Sequence, residues 1–154
     1  MTRARLLAPI LAAAASVSLA QVPAPPLAPG MVPPDPVRTD FIARSGSDTV
    51  YFAGSGHALD GAARATLAAQ AAWLLANPAI QVRIEGHSGL SDTRDHALGV
   101  GARRAAAVRD YLLLYGVPAG QVSAVSFGKE RPATTGVGEA MNALNRRAVT
   151  VLVR

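Results

Sequence analysis

The 154-residue chain contains no cysteine. Within these residues that excludes a disulfide framework, a thiolate metal site, a cysteine nucleophile and a lipid-bearing cysteine. Aromatic residues are scarce at 5%, yet half of the residues are hydrophobic, a balance that suits a folded domain and not a disordered chain. The only long apolar run lies at the start, so nothing beyond it reads as a membrane span. The length admits one domain and leaves no room for a large multidomain enzyme.

Several catalytic signatures are also missing. No Gly-x-x-x-x-Gly-Lys-Ser/Thr phosphate loop occurs. The three histidines, His57, His87 and His96, form no i, i+4 pair that would put two imidazoles on one helix face. A nucleophile elbow requires Gly-x-Ser-x-Gly, and Gly86-His87-Ser88-Gly89-Leu90 breaks the pattern at its fifth position. No catalytic residue, metal or cofactor is expected.

What is present divides the chain into three parts. Residues 1–20 carry Arg3 and Arg5, an apolar stretch from Leu6 to Ala15, and small residues at Ser18 and Ala20. This is the pattern of a cleavable signal peptide, with an uncleaved anchor as the alternative. Its removal would take two arginines and no acid, lowering the net charge from +5 to +3 (13 basic against 10 acidic residues). That modest excess does not call for nucleic acid, which an exported protein rarely meets. Residues 21–44 read as a linker, since seven of the 11 prolines fall between Pro23 and Pro36.

Residues 45–154 read as one α+β domain of order β-α-β-α-β-(α)-β. Two helices are expected on one face of a small mixed four-stranded sheet. The β-branched and aromatic run Thr49-Val50-Tyr51-Phe52 is the first strand. Asp60 caps a helix whose apolar face is Ala63, Leu67, Ala71, Leu74 and Leu75, and Asn77-Pro78 stops it. Alternation in Gln81-Val82-Arg83-Ile84-Glu85 marks a second strand. A polar loop over 86–92 leads to a second helix, with the stripe Leu98, Gly101, Ala105, Val108, Leu112 and Tyr115 and a C-cap at Gly116. Strands over 122–127 and 148–153 follow, with a short helix near 139–144 between them.

On the second helix Arg103 lies opposite the stripe and faces water, while Arg104 lies on its flank. Asn145-Arg146-Arg147 opens the last strand and brings further basic groups. Arginine's planar fork suits bidentate capture of a carboxylate.

These residues resemble a known family. Val50-Tyr51-Phe52, Ile84-Glu85-Gly86-His87-Ser88, Gly101-Ala102-Arg103-Arg104-Ala105, Ser126-Phe127-Gly128-Lys129-Glu130-Arg131-Pro132 and Asn145-Arg146-Arg147 look like the OmpA-like C-terminal domain, in its peptidoglycan-associated, Pal-type branch. The resemblance implies a non-catalytic periplasmic domain that binds the diaminopimelate of the peptidoglycan stem peptide and links the wall to the outer membrane. It implies Tol-system or outer-membrane proteins as further partners. It places Arg104 on a ligand carboxylate, with Ser88, Gly89, Asp92, Asn145 and Arg146 around it. The family's acid after the turn is Gly89 here, and Asp92 lies three residues beyond. Ala97 and Ala53 likewise replace polar family residues. The other implied role is a protein-interaction module with weakened wall binding. With no cysteine, the expected localisation is periplasmic through a signal peptide, without a lipid anchor.

Overall fold

A computed structural model describes residues 35–153. The leader expected over 1–20 and the first part of the Pro-rich segment lie outside the described residues. In chain order the elements are α1 (Pro36–Ser45), β1 (Thr49–Tyr51), α2 (Gly61–Ala76), β2 (Gln81–His87) and α3 (Arg94–Leu114). A 3-10 turn (Ala119–Gln121), β3 (Val122–Gly128), α4 (Glu139–Asn145) and β4 (Arg147–Val153) complete the domain.

The strands form one mixed sheet in the order β1-β4-β2-β3. β2 and β3 are parallel, while β4 runs antiparallel to both β1 and β2. Period-two alternation in β2 buries Val82, Ile84 and Gly86 and leaves Arg83 and Glu85 half-buried on the other face. There they form an ion pair at 2.6 Å. Helices α2 and α3 supply the apolar layer on the first face: Leu67, Ala71 and Leu74 meet Ala105, Val108 and Leu112 in one core. The expected fold class is the observed one.

Local chemistry sets the helix limits. Asp60 Oδ1 accepts the Ala63 N–H at 2.7 Å, and Asn77 takes the C-cap of α2. Gly116, at φ +93, turns the chain after α3. Its N–H reaches the Leu113 carbonyl, and the Val117 N–H reaches that of Leu112. Between α3 and the sheet the backbones nearly touch. A Cβ on Gly86 would lie 1.9 Å from the Gly101 carbonyl oxygen, so both positions admit only glycine without movement of the helix.

Two boundaries differ from the sequence reading. Residues 36–44, expected as linker, belong to α1, which runs on to Ser45. Asp35 caps it, Pro36 occupies its first turn, and Gly46, at φ +79, ends it. Phe41 is fully buried against Trp73, edge to face with centroids 5.0 Å apart, and the Trp73 indole N–H donates to Asp40 at 2.7 Å. The folded unit therefore starts some ten residues before the expected boundary at 45. The stripe on α3 is also displaced. Its buried residues are Ala97, Val100, Gly101, Arg104, Ala105, Val108 and Leu112, while Leu98 is only half-buried and Tyr115 is exposed.

Candidate binding site

The C-terminal ends of β1 and β2 and the N-terminal end of β4 lie at the same edge of the sheet. The segments that leave there enclose a cleft of about 240 Å³. Gly54 comes from the β1–α2 loop, Gly89 and Asp92 from the β2–α3 loop, and Glu139, Asn142 and Arg146 from α4 and its end.

Arg104 stands behind this cleft and does not line it. It belongs to the buried stripe of α3, one turn before Val108, and is fully enclosed. Its Nε donates to the Gly56 carbonyl at 2.9 Å, Nη1 to His87 at 2.8 Å and Nη2 to Gly54 at 2.7 Å. The guanidinium also sits 5.2 Å from the Phe52 ring centroid. Burial, then the nearby Arg146 charge, lowers its pKa to about 10, so the group stays cationic at neutral pH. The expected place on the flank is thus corrected. Three carbonyls repay the desolvation that would otherwise keep an arginine out of an apolar stripe. One N–H on each terminal nitrogen remains beyond these three bonds. Arg103 is exposed, as expected.

The charged side chains on the cleft itself are Arg146, Glu139 and Asp92. Arg146 Nη2 meets Glu139 Oε1 at 2.5 Å, and Arg146 Nε also reaches the Phe52 carbonyl. The Arg146 side chain is 12% exposed and that of Glu139 76%, so the arginine is the anchored half of the pair and the carboxylate the solvated one. The same arginine holds the Glu139 carboxyl below its ordinary pKa. Asp92 Oδ1 lies 4.0 Å from His96 Nε2, and Lys129 Nζ donates to the Asp92 carbonyl at 2.5 Å. The cleft therefore presents one arginine fork, occupied by the Glu139 carboxylate, and a second carboxylate on Asp92.

Two expected site residues point elsewhere. Ser88 is buried, its Oγ 3.2 Å from the Gly89 carbonyl and its N–H on the Gly128 carbonyl. Asn145 is buried too: its Oδ1 accepts from Ala133 and Thr134, and its Nδ2 donates to the Thr134 carbonyl. Its carboxamide ties the loop after β3 to α4 and is engaged at both ends. Both residues brace the walls, because the polar groups of buried main chain must find partners. Gly89 does line the cleft.

Asn142 has no counterpart among the residues expected from sequence. Its Oδ1 accepts the Leu90 N–H at 2.8 Å across 52 positions, a distance at which no spacing pattern operates. His87 also belongs to the buried side, stacked on Phe127 with centroids 5.8 Å apart. Both of its ring nitrogens lack a partner among the described residues. Burial, reinforced by the Arg147 charge, pushes its pKa down to about 4. Among the described residues, no group of three or more His, Asp or Glu is placed to hold a metal ion.

The model of the OmpA family matches residues 51–146. A protein of Rhizobium meliloti named peptidoglycan-associated lipoprotein is 42% identical over 113 residues, covering 73% of this chain and 64% of that protein. The protein of that name from Pasteurella multocida is 45% identical over 102 residues, covering 66% and 68%. The alignment thus spans less than two thirds of the Rhizobium relative's length. The crystal structure of the peptidoglycan-associated lipoprotein from Burkholderia pseudomallei superposes with a TM-score of 0.68 at 36% identity, over 70% of this chain and 92% of that one. The C-terminal domain of Helicobacter pylori MotB shares the fold at 18% identity, with a TM-score of 0.65. The relatives are named as lipoproteins, which overturns the expected localisation of a secreted chain without a lipid anchor. That expectation rested on the missing cysteine, and an absence within 154 residues carries no weight against those names. No helix among the described residues is long and apolar enough to cross a membrane.

Proposed function

The chain belongs to the OmpA family, and from that premise we propose that its folded domain holds peptidoglycan non-covalently, by a stem peptide seated in the cleft between the β1–α2 loop, the β2–α3 loop and α4. The observation that carries this reading is the juxtaposition of Arg146 and Asp92 on one cleft. Diaminopimelate bears a carboxylate and an ammonium on a single carbon, and a fork donor beside a carboxylate acceptor suits that pair.

In this account the ligand carboxylate exchanges with Glu139 on the Arg146 fork. Glu139 is exposed, and a solvated ion pair gives way readily to another carboxylate. Asp92 takes the ammonium. Arg104 fixes the Gly54 and Gly56 carbonyls, so the β1–α2 wall is set before the ligand arrives, and its charge favours an anion nearby. The role is binding, with no bond made or broken. The relatives' names agree with it.

Co-sedimentation of the chain with purified peptidoglycan sacculi tests the reading. The wild type pellets with the sacculi, and Arg146→Gln and Asp92→Asn each weaken retention about tenfold or more, the usual loss for a charge-assisted hydrogen bond. Wild-type retention in both variants would remove the cleft from the account.

A further inference from the structure

Two cavities adjoin beside α4. Beside the polar cleft lies a second of about 330 Å³, to which Leu90 and Val137 contribute; the two share Ser91, Glu139 and Asn142. The Asn142 carboxamide stands at their junction. Only its oxygen can accept the Leu90 N–H, so that bond fixes the orientation of the amide. Nδ2 then carries two N–H donors, and no partner for it occurs among the described residues.

Gly89 shows what the amide displaces. Gly89 is not among the glycines of positive φ, so no left-handed backbone reserves the position for glycine. A Cβ on Gly89 would nonetheless fall 2.5 Å from Asn142 Oδ1 and 2.9 Å from Nδ2. The carboxamide from α4 thus fills the space that a side chain on the β2–α3 loop would take.

We propose that Asn142 is a ligand-contacting residue of this cleft, its Nδ2 donating to an oxygen of the stem peptide, either a carboxylate or a peptide carbonyl. The inference rests on the reading of the cleft given above. One lone pair of its oxygen is already taken by the Leu90 N–H, while both Nδ2 hydrogens are unpaired, so this amide presents chiefly donors to the cleft and favours an oxygen acceptor over an ammonium. The ammonium is left to Asp92, on the same cleft. Asn142 therefore favours the orientation in which an oxygen of the zwitterionic ligand faces α4.

The test is ¹⁵N NMR of the full chain titrated with a soluble diaminopimelate-containing stem peptide. The backbone amides of Gly89 and Asp92 shift, and so does the side-chain NH₂ pair of Asn142, assigned through its own Cβ. Backbone shifts with an unmoved Asn142 NH₂ pair would overturn this inference and leave the cleft reading standing. No shift at either place would overturn both. Asn142→Asp gives a second measurement. It keeps an oxygen for the Leu90 N–H and removes both donors, so it melts close to the wild type while affinity falls about tenfold to a hundredfold. A variant that folds and binds like the wild type would likewise overturn the role, because a merely structural latch needs only the oxygen.

Discussion

Replacing Arg104 tests how the wall of the cleft is held. Arg104→Ala removes three charge-assisted hydrogen bonds to main-chain carbonyls and the contact over Phe52. Such bonds contribute about 1.5–3 kcal/mol each in favourable settings. The sum is reduced on two counts. Gly54 and Gly56 are exposed, so water can replace the guanidinium at their carbonyls, whereas the His87 bond is buried. Removing a buried cation also recovers part of its desolvation cost. The net loss is about 2–4 kcal/mol, or on the order of 10 °C in melting temperature for a domain of this size. Arg104→Lys keeps the charge on a point donor that cannot span three carbonyls, so it falls between the two. Thermal unfolding followed by circular dichroism reads the stability, and co-sedimentation reads the wall. Retention on sacculi should fall in the order Arg, Lys, Ala as the β1–α2 loop loses its tether. An alanine variant that melts within a degree or two of the wild type and still pellets would refute the bracing role.

Three further outcomes follow from the structure. Phe41→Ala destabilises the domain by about 3–5 kcal/mol through the cavity left against Trp73; urea unfolding checks this, and an unchanged midpoint would return α1 to the linker. Gly89→Asp lowers the melting temperature and does not strengthen wall binding, because it must evict the Asn142 amide and its bond to Leu90, at a cost of about 1 kcal/mol or more; a gain in both properties contradicts it. Stability also depends on His87, whose pKa of about 4 in the fold lies below its ordinary 6.5. The unfolded chain binds the extra proton between those values. The contribution is therefore complete above pH 6.5 and is lost as pH falls toward 4, up to about 3 kcal/mol. His87→Gln should flatten that part of a denaturation profile measured from pH 7 to pH 4, and an equally steep profile would exonerate the imidazole.

Much of this fold is legible in the chain because its signals are local. Asp60, Asn77-Pro78 and Gly116 bound their helices as their chemistry dictates, and alternation in Gln81–Glu85 marks a strand. Helix α1 is hidden by the prolines before it. Its own signals are nonetheless present in Asp35 at the cap, Pro36 in the first turn and Gly46 at the end. Arg104 misleads for a different reason. Charge argues for water, and only three carbonyls, two from the β1–α2 loop and one from the end of β2, explain why this cation lies inside. Asn142 is illegible altogether, since its partner Leu90 is 52 positions away and the space at Gly89 exists only in three dimensions. Asn145 and Ser88 have the chemistry of a ligand site, but it is satisfied by their own main chain.

Whether this cleft takes the stem peptide of the wall is decided most directly by one pelleting assay. Intact sacculi are compared with sacculi whose stem peptides have been removed by an amidase, leaving bare glycan. The chain should sediment with the first and stay in the supernatant with the second. Equal sedimentation with both would contradict stem-peptide binding in this cleft, as would failure to sediment with either.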